Sequence, residues 1–325
     1  MRMNFIGNSG VGYSGEVADE LHIVRELKSI GVLVNFIPRD TWKVAVDSDN
    51  FSKLPGESLE ADINIICKWS HFNDSKYVNI LREVSGAPVF YWVWDFLFDP
   101  TEVTNFNLEM AKAADLYLTG EGGLIPEYKK LGIDAYYFQF DAHDFQLAPR
   151  SRGNFKHDLV FTGSLVRSGN RLPYLKEINH HRPVKIYAPD YSAWRAEGFD
   201  ADPAVYEDAF QRIVAESKIC LGFSVTTTPC WGYWSNRIGK VIGAGGFLLY
   251  EYQEGMELLL PPSIEYFSSP KEAINKIDYY LDNESIRETA AAYNLSKKEE
   301  FSSLRRASQL YILIDRFLED HGRSR

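Results

Sequence analysis

Short apolar runs alternate with amphipathic stretches along the first half of the chain. "MNFIG" (3–7) breaks off at a glycine. In "EVADELHIVRELKSIG" the residues Val17, Leu21, Val24 and Lys28 fall on one helical stripe, with Leu27 beside it and Gly31 as a stop. Strand-like runs rich in β-branched and aromatic residues follow at 32–37, 61–67, 88–94, 116–120 and 135–140, with helical patterns between them at 102–114 and 122–131. Strands alternating with helices predict parallel βαβ units. The pattern restarts after the polar, turn-rich segment 147–157. A second set of strands is expected at 158–163, 184–189, 218–223, 247–251 and 265–269, and an amphipathic helical tail over roughly 270–320. Continuous apolar strands of this kind are expected when helices cover both faces of a sheet.

The chain has 325 residues, 45% of them hydrophobic, 25% charged and 14% aromatic. At roughly 150 residues per domain this length predicts two domains with ample core material. No apolar stretch approaches the roughly 20 residues of a membrane span. The first residues lack the longer apolar segment of a leader peptide, so a cytoplasmic protein without stable membrane insertion is expected. Cys67, Cys220 and Cys230 form no C-x-x-C pair, which predicts neither a disulfide framework nor a zinc site. The net charge of −10 disfavours a surface built for nucleic acid, though not a local basic cleft.

The stretch "SNRIGKVIGAGGFLLYE" (235–251) concentrates the candidate chemistry. Ser235 is placed to cap a short helix. Ile238, Val241 and Ile242 would face a sheet, while Arg237 and Lys240 share a neighbouring face. Gly243, Gly245 and Gly246 would end the helix close to the next strand. Two cations beside the free N–H groups of a helix start make an anion site. A charge-assisted hydrogen bond is worth about 1.5–3 kcal/mol, against about 0.3–1 kcal/mol for the helix dipole. The cations would therefore dominate affinity, and a diphosphate matches them.

The order of these segments resembles the C-terminal half of GT-B fold glycosyltransferases, most closely the CgeB-like (glycosyl transferases group 1) branch. The residues that carry the resemblance are "WSNRIGKVIGAGGFLLYEYQEGMELLL", the later "IEYFSSPKEAINKIDYYLDNESIRETAA", and upstream "HDLVFTGSLVRSGNRLPYL" and "ESKICLGFS". "VFYWVWD", "AADLYLTGEGGLIPEYKKLGI" and "YYFQFDAHDF" extend it into the first half. The resemblance implies two Rossmann-like domains with parallel sheets facing across a cleft. The first, at 1–150, would lie on the acceptor side. The second, at 151–300, would bind the nucleotide-sugar, and a C-terminal helix at 301–325 is expected to pack back on the first. It also implies transfer of a sugar from a nucleoside diphosphate sugar, with a UDP-sugar as the leading donor. Carried over by position, Arg237 would contact the diphosphate, with Ser235, Asn236 and Lys240 beside it. Gly163 and Ser164 would approach it, and Arg167 or Arg171 would be a second cation. No cofactor or metal is required on this reading. The acceptor (glycan, protein, small molecule or modified base) and the oligomeric state stay open. One departure stands out. Where many retaining members carry a pair of glutamates, this chain has Tyr233 and Lys240, so a ribose-binding carboxylate must come from elsewhere, with Glu251, Glu254 and Glu257 as candidates.

The glycine-rich loop at 7–16 supports a rival. Residues 10–15 match G-x-G-x-x-G, and Asp40 follows the next strand as a ribose-binding acid would, which suggests a NAD(P) or flavin oxidoreductase using Gly10 to Gly15. On the transferase reading Gly12, Tyr13, Ser14 and Gly15 instead form a loop facing the sugar and acceptor. Asp95, Glu16 and His71 are the candidates for a catalytic base. Each also has an ordinary structural reading, as a turn aspartate, a helix-start glutamate and a structural histidine. A third reading is a non-catalytic sugar-nucleotide or glycan-binding protein of the same fold.

Overall fold

A computed structural model describes residues 1–10, 18–52, 54, 59–69, 71–72, 74–94, 105–140, 142–145, 151–224 and 230–322. The chain divides into two compact units, one formed by the described residues up to 140 together with 303–322, the other by those from 142 to 302.

The first unit is built on a six-stranded sheet of β1 (Arg2–Gly7), β2 (Leu33–Pro38), β3 (Ile63–Cys67), β4 (Val89–Val93), β5 (Leu116–Thr119) and β6 (Ala135–Tyr137). The strands run in the order β2-β1-β3-β4-β5-β6, and every pair is parallel. β3 and β4 are buried throughout, which is why "INIIC" and "VFYWV" carry no polar alternation apart from Asn64. The helix Asp19–Ser29 lays Ile23, Val24 and Leu27 against Met3, Phe5 and Ile65. The helix Ser303–Asp320 adds Ala307, Leu310, Ile314 and Leu318, one stripe at helical spacing, to the same cluster. A polar seam fixes the register of the three strands on that side. Asn35 Nδ2 donates to Asn4 Oδ1 at 2.9 Å, Asn4 Nδ2 to Asn64 Oδ1 at 2.9 Å, and Asn64 Nδ2 to Ser85 Oγ at 2.8 Å. A slip of one residue would leave these buried amides without partners.

The second unit repeats the architecture with β7 (His157–Thr162), β8 (Val184–Ala188), β9 (Asp200–Pro203), β10 (Ser217–Gly222), β11 (Leu248–Glu251) and β12 (Glu265–Phe267). Its order is β12-β11-β10-β7-β8-β9, again all parallel. All the expected strands form, but β9 has no counterpart in the sequence reading. Its residues Asp-Ala-Asp-Pro look like a turn. As an edge strand it buries only Ala201, while Asp200 and Asp202 point outward to Lys185 at 2.7 and 2.8 Å. One side of the sheet packs aromatic edges together, with Phe161 against Trp194 and Phe223, and Phe223 against Phe267. Cys67, Cys220 and Cys230 are all buried, and among the described residues none forms a disulfide.

Candidate functional site

In the second unit, β7 and β10 lie side by side at the middle of the sheet, and the chain leaves them toward opposite edges. The crevice at the C-terminal ends of two such strands is where open α/β sheets take ligands. Phe161 and Thr162 end β7, and Gly163 follows it. Phe223 and Ser224 follow β10 directly, and Glu251 ends β11.

Two arginines converge on Phe161. The Arg237 guanidinium lies over its ring at 5.1 Å from the centroid, and that of Arg171 at 5.6 Å. Arg237 begins the helix Arg237–Gly243, and its Nε donates to Thr162 Oγ1 at 3.1 Å. Arg171 begins the helix Arg171–His181; its Nη1 donates to the Ser164 carbonyl at 3.1 Å and its Nη2 to that of Phe223 at 3.3 Å. Arg171 is only 3% exposed. Among the described residues each arginine nevertheless keeps a buried nitrogen without a partner, Nε in Arg171 and Nη1 in Arg237. Burial, with the like charge of Arg171 in support, pushes the Arg237 pKa down to about 10. Burial also lowers that of Arg171. Both groups therefore remain cations at neutral pH.

The nearby carboxylates bond elsewhere. Glu251 Oε1 accepts from Asn170 Nδ2 at 3.0 Å, and burial raises its pKa. Asp190 Oδ2 accepts from the Leu165 amide at 2.8 Å. Gly163 leaves the guanidinium its room. A Cβ there would stand 2.5 Å from Arg237 Nη2 and 3.0 Å from Phe161 Cζ, and the residue sits at φ +153°. Its carbonyl is fixed by the buried Trp194, whose Nε1 donates to it at 3.1 Å.

The structure thus brings Gly163, Ser164, Arg171, Ser235 and Arg237 together. Arg167 is exposed and ion-paired with Glu197, which also takes Lys176 at 2.6 Å. Asn236 and Lys240 are half-buried in and beside the first turn of the Arg237 helix. Ser235 Oγ accepts from the Arg237 amide at 3.4 Å, but the N-cap position is Asn236, one residue later than the expected cap. The Ser235 amide is itself bonded to the Tyr250 hydroxyl at 3.1 Å. Amides expected to face an anion are therefore committed inside the protein, and the helix is only seven residues long. The guanidinium groups carry the site's positive charge.

In the first unit His71 is exposed just beyond β3, its ring stacked on Trp69 at 4.7 Å, and the Arg39 guanidinium lies over the same Trp69 ring at 5.2 Å. Asp95, Glu16, Gly12, Tyr13, Ser14 and Gly15 lie outside the described residues, as does all of the 10–15 motif except Gly10. Asp40 is exposed in the first turn of the helix Arg39–Ser48. Sequence reasoning passed over Glu20. It is 5% exposed, its Oε1 accepts from the Asn8 amide at 3.4 Å, and burial raises its pKa to about 7. A first-turn acid looks like an ordinary helix-start residue, so no sequence signal marked it.

Residues 170–311 match the family model described as glycosyl transferase-like. The whole chain is similar in structure to Anabaena HepE, solved in complex with UDP and glucose, at TM-score 0.67 and 13% identity over 97% of this chain and 99% of that one. The fold is that of the GT-B glycosyltransferases. Sucrose-phosphate synthase from Thermosynechococcus elongatus gives TM-score 0.68 at 8% identity, covering 98% and 99% of the two chains. The T4 phage BGT in complex with its UDP-glucose substrate gives 0.63 at 11%, covering 98% and 99%. No curated protein matches the chain in sequence. The expected GT-B fold stands on this structural similarity. The narrower CgeB-like placement is not among the matches. Among the described residues no helix is long and apolar enough to cross a membrane.

Proposed function

We propose that the protein transfers a sugar from a nucleoside diphosphate sugar, with a UDP-sugar as the first choice, to an acceptor engaged by the N-terminal unit. The donor's diphosphate would lie against Arg171 and Arg237. The observation that carries this reading is the pair itself: two like-charged guanidinium groups pack on one aromatic ring, and each keeps a buried N–H without a partner among the described residues. Among the described residues no carboxylate is hydrogen-bonded to either guanidinium, and an anion that supplies acceptor oxygens relieves both the desolvation and the mutual repulsion. The UDP and UDP-glucose complexes of the structural neighbours support a uridine diphosphate donor.

In the transfer, the bond between the anomeric carbon and the diphosphate oxygen breaks, and its electron pair stays on the diphosphate. The acceptor's nucleophilic atom bonds to that carbon and gives up a proton. The two guanidinium groups stabilise the growing charge of the leaving group, and their preset positions keep the cost of reorganisation low. Glu251, at the end of β11 beside Asn170, is the carboxylate best placed to meet ribose hydroxyls in place of the missing glutamate pair. Asp95, Glu16 and His71 remain the proposed sources of a base. Ser164, Asn236 and Lys240 complete the donor side of the proposal, and the loop 12–15 its sugar side.

Calorimetric titration with UDP, GDP, ADP and dTDP tests the reading. UDP is expected to bind tightest, and absence of binding by all four would overturn it. Release of UDP from a UDP-sugar by the purified protein separates an enzyme from a protein that only binds.

A further inference from the structure

Tyr250 lies on β11, directly opposite Gly222 of β10, and is fully buried. Its ring occupies the space a side chain at 222 would need: a Cβ on Gly222 would fall 2.0 Å from Tyr250 Cδ2 and 2.5 Å from Cε2. A tyrosine packed this way across a glycine cannot shift without disturbing the strand pair, so its hydroxyl has a fixed address. That hydroxyl sits between two serines. It accepts the Ser235 amide at 3.1 Å and lies 3.2 Å from Ser224 Oγ. The hydroxyl thus bonds both serines at once, with either oxygen able to donate in the pair with Ser224.

These two serines are the anchor points of the arginines. Ser224 follows Phe223, whose carbonyl holds Arg171 Nη2 at 3.3 Å. Ser235 stands two residues before Arg237 and accepts the Arg237 amide on its hydroxyl at 3.4 Å. One buried oxygen thus ties the backbone supports of both guanidinium groups, from a strand neither arginine touches through any hydrogen bond described above. Nothing in core packing requires a hydroxyl here, since phenylalanine would fill the same volume.

We infer that Tyr250 is a positioning residue for the donor's diphosphate, with its hydroxyl setting the spacing between Arg171 and Arg237 through Ser224 and Ser235, and Gly222 holding the ring in place. The inference rests on the reading that these arginines bind the diphosphate.

The test is Tyr250→Phe, which keeps the ring and removes only the oxygen. UDP affinity should fall about five- to tenfold, the size of effect expected from a lost buried bond that leaves an amide unsatisfied. Affinity for uridine, which has no diphosphate, should stay the same. With a UDP-sugar, KM should rise by a similar factor while kcat changes less. Hydrogen exchange of the Ser235 amide, measured without ligand, should quicken in the variant. Gly222→Ala, which displaces the ring, should show the same selective loss of UDP over uridine if it folds. Equal UDP affinity and equal Ser235 exchange in wild type and Tyr250→Phe would overturn the positioning role. The diphosphate reading would survive that result provided Arg237→Ala still weakens UDP. If Tyr250→Phe lost UDP and uridine affinity alike, general damage would be the cause and the inference would also fall. A wild-type protein that binds no nucleoside diphosphate would remove the reading beneath it, and the inference with it.

Discussion

At the C-terminal ends of its strands the second unit holds two guanidinium groups, that of Arg171 buried and that of Arg237 half-buried, whereas the first unit holds a buried carboxylate, Glu20, beside β1. Burial works against the charged form in both places, but the groups respond differently. Arg237, with its pKa lowered to about 10, still cannot shed its proton at neutral pH. It must find an anion. Glu20, raised to about 7, can lose its charge by taking up a proton. The first arrangement is a standing demand for a ligand, and the second is a group that exchanges protons near physiological pH. The nucleoside diphosphate donor proposed above suits the former.

The largest effect expected of this difference lies at Glu20. Its ordinary pKa of 4.5 becomes about 7 in the folded protein, so the native state holds the proton more tightly than the unfolded chain does. Below about pH 4.5 the group is neutral in both states and carries no penalty. Stability is lost as pH rises from about 4.5 to about 7, by roughly 3 kcal/mol at about 1.4 kcal/mol for each pH unit. Glu20→Gln keeps an oxygen for the Asn8 amide and removes the charge. Urea unfolding at pH 5 and pH 8 should show the wild type losing about 2.5 kcal/mol more than the variant across that interval. Parallel behaviour of the two proteins would show that Glu20 is not held as a buried acid.

Next comes Arg237→Met. The substitution gives up the bond to Thr162 Oγ1 but also removes a buried cation with an unpartnered Nη1 beside Arg171. UDP affinity should drop about tenfold to a hundredfold, as expected for one or two lost charge-assisted bonds. The melting temperature without ligand should be unchanged or higher, because hydrophobic replacement of a buried charge is often neutral or stabilising. Loss of both binding and stability would mean that the guanidinium serves the fold.

Much of this was readable in the sequence, for reasons that differ by residue. The strands showed because sheets covered on both faces demand continuous apolar runs, and "INIIC" or "KICLGF" can hardly be anything else. Asp200–Pro203 escaped because an edge strand that buries one alanine leaves no pattern. Arg237 and Gly163 were readable through their order along the chain. Gly163 owes its importance to a guanidinium arriving from a residue far along the sequence, a contact no local window contains. Arg171 and Arg167 could not be told apart from sequence, since both are arginines near a helix start; burial separates them. Glu20 and the Tyr250 hydroxyl left no trace, because each matters through atoms supplied by distant segments.

Gly163→Ala should have a smaller effect than Arg237→Met, because it moves the cation without removing it. The added Cβ cannot coexist with Nη2 at 2.5 Å, so the guanidinium must rotate off its Thr162 anchor or the β7 end must shift. UDP affinity should fall about tenfold, consistent with one charge-assisted bond weakened. Wild-type affinity in this variant, measured by the same titration, would show that the close approach of Gly163 and Arg237 has no part in binding.

The smallest effect belongs to Arg167→Ala, and it decides how the others are read. Arg167 lies on the same unit, four residues before Arg171, but it is exposed and ion-paired with Glu197, which keeps Lys176 when Arg167 is gone. Exposed pairs of this kind contribute little, and solvent screens them. UDP affinity should therefore stay within about twofold of wild type, with weak dependence on added salt. In a chain of net charge −10, any nearby cation could in principle help an anion approach. If Arg167→Ala weakened UDP as much as Arg237→Met, the site would be working through its general positive field. A large loss at Arg237 with almost none at Arg167 would instead tie binding to the two buried guanidinium groups and their fixed direction.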